Sequence, residues 1–88
     1  MEDFLVKTNE FLGLILPYCY SYSDEKIIIR LKMLLQTLAY LDDKVKIIDT
    51  LDKILNCCEI FCNKYKSLDK YYQIYKKIIN DTKMIYSN

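Results

Sequence analysis

The chain has no histidine and no tryptophan, and it carries one glycine and one proline. Without histidine there is no Ser-His or Cys-His nucleophile pair, and the commonest general base and commonest metal ligand are missing. A single glycine, Gly13, cannot build a phosphate-cradling loop or a dinucleotide fingerprint. So few turn formers argue against a sheet of hairpins. Charge of one sign is lacking too: the net charge of +1 offers no global attraction to nucleic acid or an anionic membrane. Long apolar runs are also absent. The longest uncharged stretch, Phe11 to Ser23, contains Pro17 and two serines and falls well short of the roughly 20 apolar residues of a membrane span. The acidic opening Met1-Glu2-Asp3 stands where a signal peptide would be basic. An unprocessed, intracellular chain in a reducing compartment is expected.

What is present is apolar and helix-friendly. Hydrophobic residues make up 52% of the 88 residues, too many for a disordered chain and enough for one domain spanning residues 1–88. Half of the chain is drawn from Phe, Tyr, Met, Ile, Asn and Lys, whose codons are AT-rich, while Arg30 and Ala39 are the sole arginine and alanine. This points to an AT-rich genome, as in many large DNA viruses, and makes the lysine and tyrosine surplus weak evidence of selection.

Placing residues at about 100° per step predicts four amphipathic helices. The first spans about Asp3–Leu16, with Leu5, Phe11, Leu12, Ile15 and Leu16 on one face, and Pro17 ends it. An aromatic loop to Ser23 follows, and Ser23 is the expected N-cap of a second helix over Asp24–Leu41. Its stripe is Ile27, Leu31, Leu34, Leu35, Leu38 and Leu41. Asp42-Asp43 interrupts the pattern, and either aspartate can cap a third helix over Lys44–Lys66. There Ile47, Leu51, Ile54, Cys58, Phe61 and Tyr65 share a face. Ser67 is the expected cap of a fourth helix over Leu68–Ile85, with Tyr71, Tyr75, Ile78 and Ile85 inward. Nothing at Lys66-Ser67 forbids a continuous helix, so the sequence leaves that break open. Short connections predict an all-α antiparallel bundle of three or four helices in which sequence neighbours pack together.

Four features carry functional readings. On the second helix, Ile29, Met33 and Tyr40 lie opposite the main stripe, where an amphipathic helix should be charged. Arg30 and Lys32 only flank them. Ile60 is a further apolar residue on the polar side of the third helix. Such spaced anchors suit a partner groove or a dimer seam. The bland alternative is a helix sandwiched on both sides, which so short a chain has few residues to build.

The cysteines are the second feature. Cys57, Cys58 and Cys62 crowd one helix and Cys19 sits in the first loop, a spacing unlike the paired knuckles of zinc sites. Cys58 and Cys62 are expected as small core residues and Cys57, at the edge of the stripe, as an exposed thiol. The third feature is charge asymmetry: residues 1–63 carry seven basic and ten acidic side chains, and residues 64–88 carry six lysines and two aspartates. Lysines interleaved with tyrosines can serve single-stranded nucleic acid. The fourth is a pair of carboxylates, Asp49 and Asp52, one turn apart; an outward face with Lys46 and Lys53 nearby makes ordinary surface ion pairs the better account.

The composite expectation is a binding module and not an enzyme, without cofactor or metal. Ile29, Met33 and Tyr40 would be its anchors, Ile60 their support, and Arg30 and Lys32 the rim, facing a second copy or another protein. One alternative is nucleic-acid or anionic-surface binding through Lys70, Lys76, Lys77 and Lys83. Another is a thiol-redox or metal module at the cysteines.

Overall fold

The computed structural model describes residues 1–87, and four α-helices account for most of them. Helix α1 runs Glu2–Ile15, α2 Tyr22–Leu38, α3 Lys44–Asn63 and α4 Asp69–Tyr86, with short 3-10 turns at Leu16–Tyr18 and Lys66–Leu68. No strand occurs among the described residues. The all-α antiparallel bundle read from the sequence is therefore the fold, with extents of 38 × 23 × 19 Å.

Local chemistry explains the helix ends and corrects three expectations. Glu2 and Asp3 occupy the first turn of α1, where the helix dipole favours them, and Lys7 lies 3.6 Å from Asp3 one turn on. Pro17 does not stop the winding. Leu16 keeps a helical backbone (φ −56°, ψ −37°) and Pro17 enters a tighter turn, whose early positions need no proline N–H. The cap of α2 is Ser21, not Ser23. Ser21 Oγ accepts from the Asp24 N–H at 3.1 Å while the Asp24 carboxylate accepts from the Ser21 N–H at 3.2 Å, a reciprocal capping box that starts the helix two residues early. Asp43 caps α3 through the Val45 N–H at 2.9 Å, as one of the two aspartates was expected to.

The break between α3 and α4 is real. Tyr65 leaves helical geometry (φ −132°, ψ 97°), and Leu68 then folds into the core. Ser67 caps nothing; its hydroxyl donates to the Tyr18 hydroxyl at 3.2 Å, and α4 begins without a side-chain cap.

Helix α3 is the centre of the bundle, packed against α2 on one side and α4 on the other. Leu51, Ile54, Cys58 and Phe61 are fully enclosed between them. Helix α1 packs chiefly on α4, the last helix, and not on its sequence neighbour α2 as expected. Phe11 stacks on Tyr75 with ring centroids 4.3 Å apart, and Phe4 follows at 6.1 Å. Beneath them Thr8 donates to the Phe4 carbonyl and accepts from the Tyr75 hydroxyl, each at 2.8 Å, so the buried phenol is satisfied.

The buried side of α4, which packs on both α1 and α3, differs from the predicted one. The buried residues are Tyr72, Tyr75, Ile79 and Thr82, a face turned by roughly 60° from the predicted one. Tyr71 and Ile78 become half-buried, while Ile74 and Ile85 go to solvent. On α2, Ile28 joins Leu31 and Leu38 in the core, and Ile27, Leu34 and Leu35 are only half-buried.

Candidate functional site

Two assemblies stand out, one interior and polar, the other exterior and apolar. The interior one centres on Asp24, which is enclosed at the start of α2. Its carboxylate accepts from the Tyr20 and Ser21 N–H groups at 3.2 Å each, from the Lys64 ammonium and from the Tyr65 hydroxyl. The Lys64 ammonium first, and then the Tyr65 hydroxyl, hold the Asp24 carboxyl far below the usual carboxylate range, against burial, which raises it. The same bond to Asp24, with desolvation added, pushes the Tyr65 phenol up to about 12. Every lone pair that matters is engaged by the chain itself, and no cleft opens on the carboxylate. This node is a clasp that pins the end of α3 to the start of α2.

The cysteines are likewise internal. Cys57 is 3% exposed, so the expectation of an exposed thiol fails; α2 covers that side of α3. All four cysteines are free. Burial, with Cys62 and Cys57 adding to it, holds the Cys58 thiol well above its ordinary value, and burial followed by Asp69 pushes Cys62 up to about 11. These two sulfurs are neutral thiols at neutral pH and poor nucleophiles. Among the described residues, no three side chains of metal-binding type converge on one point. No helix among them is long and apolar enough to cross a membrane.

The lysines named for nucleic-acid contact are partly occupied. Lys83 pairs with Asp52 of α3, and Lys70 sits 5.0 Å over the Tyr71 ring. Lys76 and Lys77 are exposed on α4. Of the carboxylate pair, Asp49 bonds Lys53 at 3.2 Å and Asp52 takes Lys83, both as surface ion pairs.

The exterior assembly is the outer side of α2. Ile29 is 50% exposed, Met33 61% and Tyr40 86%, and no other helix covers them. Tyr40 lies in the turn just after α2, where its N–H bonds the Thr37 carbonyl. Ile29, Arg30, Met33 and Leu34 line a shallow groove with Lys26, Thr37 and Lys53 of α3. Arg30 is thus at the rim, while Lys32 is exposed on the other flank. Ile60, 49% exposed, does not line this groove. It lies one turn before Lys64, whose ammonium donates to Ser23 Oγ at 3.2 Å, so the α2-facing edge of α3 carries it.

One residue of this face escaped the sequence reading. Tyr22, placed in the loop, is inside α2 and 73% exposed, seven residues before Ile29 and on the same side. The signal was present in Ser21-x-x-Asp24, a capping box with aspartate at its third position, which moves the helix start ahead of Tyr22. A second apolar area, Leu14 and Ile74 beside a groove between α1 and α4, was also missed because the α4 face was set wrongly. Comparison with known proteins identifies no relative: no family model, no curated protein and no solved structure matches the chain.

Proposed function

We propose that the chain is a protein–protein interaction module, a small helical accessory, scaffold or assembly subunit that works by offering the outer side of α2 to a protein surface. One observation carries this reading. Ile29 and Met33 on the outer face of α2, and Tyr40 in the turn that follows it, stand half-exposed or more. Isolated surface apolar residues are ordinary, but a stripe along one helix, rimmed by Arg30 and Lys32, has the form of interface anchors within a polar margin. A binding role also agrees with a chain whose polar interior is already satisfied by its own groups. Free thiols, three of them buried, suit a reducing compartment inside a cell.

The test is affinity capture from the source cell with the parent chain and with Met33→Glu, each first matched by circular dichroism. A protein retained by the parent and lost with Met33→Glu supports the reading. An identical catch from both chains removes it.

A further inference from the structure

The exposed stripe of α2 reads the same in both directions. Tyr22, Ile29, Met33 and Tyr40 are spaced by seven, four and seven residues, with Lys26 and Gln36 filling the two long intervals. The order is aromatic, polar, aliphatic, aliphatic, polar, aromatic. Resting on the interaction reading above, we propose that the occupant of this face is a second copy of the chain, paired through α2 in antiparallel, two-fold symmetric fashion.

The physical reason is the requirement of an isologous contact, in which one patch must be complementary to itself. An antiparallel helix pair with its axis at Leu31 sets Tyr22 level with the second copy's Tyr40 and Ile29 level with its Met33. Lys26 comes level with Gln36, so no like charges meet along the middle of the seam. A parallel pair would set Lys26 against Lys26. Along one flank, Glu25 lies one residue from the level of the second copy's Gln36 and five from that of its Lys32, a polar neighbour and a more distant cation. Lys32 and its copy on that flank, and Arg30 and its copy on the other, stay at the exposed margins, where solvent and salt screen them. Lys26 already lies 4.8 Å over the Tyr22 ring, which holds that ring over the first turn of the helix before any partner arrives.

The size of the seam sets its strength. Tyr22 to Leu38 spans about 24 Å of helix, and Tyr40 extends the stripe into the turn beyond it. Four anchors from each copy make an interface at the small end of the specific range, below about 1,200 Å² in total. Such a pair exchanges and responds to concentration, as an assembly subunit should.

The experiment is sedimentation of the full chain over a wide concentration range, with the Ile29→Lys and Met33→Glu variants measured singly and mixed. Circular dichroism is the fold control, and both positions are exposed. The mass of the parent is expected to rise from 10.6 kDa towards twice that value. Each variant alone should weaken association by about tenfold or more. The equimolar mixture should regain at least part of it, because only the antiparallel register sets the introduced ammonium against the introduced carboxylate. A parent that stays single at every concentration overturns the proposal, as does a dimer that neither variant weakens. A mixture no tighter than its parts overturns the antiparallel register. If the parent stays single while cellular capture still depends on Met33, self-pairing fails and the broader interaction reading stands.

Discussion

Asp24 shows how much of a fold a single buried residue can tie together. Its carboxylate joins three segments of chain: the loop at Tyr20, the start of α2 and the end of α3. Because Lys64 and Tyr65 hold its folded pKa below that of the unfolded chain, it stabilises the fold as the carboxylate. That contribution is complete above the unfolded value of about 4 and is lost as the pH falls from there through the folded value. Denaturant titrations at a series of pH values are therefore expected to show stability falling steeply below about pH 4 in the parent, with a visibly flatter acid limb in Asp24→Asn. Asp24→Asn should also be clearly less stable than Asp49→Asn at neutral pH, since Asp49 is an exposed ion-pair member. Equal acid limbs in parent and variant would show that the clasp does not carry the charge assigned to it.

At the scale of elements, the ends of the helices are unevenly secured. Helix α2 has a full capping box at Ser21, whereas α1 and α4 start with no side-chain cap. Removing the Ser21 hydroxyl leaves the Asp24 N–H without its acceptor, so Ser21→Ala should cost about 1 kcal/mol. Ser67→Ala loses only an exposed bond to Tyr18 and should cost less than about 0.5 kcal/mol. Chemical denaturation of the two variants against the parent measures the difference, and a larger loss at Ser67 would contradict the cap assignment. The same unevenness explains which boundaries were legible. Asp43 and the start of α3 could be read directly, because an aspartate before an apolar-periodic run has one simple role. Ser21 and Ser23 compete over two positions, and the contest is settled by Asp24 turning inward to meet Lys64, a residue forty positions away in the chain.

The whole molecule is small, nearly neutral and built around α3. Its lysine-rich end is partly engaged: Lys83 bonds Asp52 and Lys70 lies over the Tyr71 ring, while Lys76 and Lys77 are exposed. Association through α2 should accordingly respond little to a tenfold rise in salt. Binding of a single-stranded oligonucleotide through Lys70, Lys76, Lys77 and Lys83 would fall by roughly two to three orders of magnitude over the same range. Titration of a labelled oligonucleotide at two salt concentrations is expected to find no saturable complex. A tight complex that weakens steeply with salt, and disappears in a Lys76→Gln, Lys77→Gln chain, would move the function to α4.

Periodicity alone determined the all-α class, most of the inward face of α3, and the apolar residues on the outer side of α2. These are properties of a short stretch wound at a fixed angle, and they need no knowledge of its neighbours. Three matters were decided only by tertiary packing. One was the rotation of α4, which follows from serving α1 and α3 together and sends Ile74 and Ile85 outward. Another was the burial of Cys57 beneath α2. The last was the break at Tyr65, which leaves helical geometry where its phenol bonds Asp24. Each depends on groups distant in the chain arriving at one place, and a local pattern carries no record of that meeting.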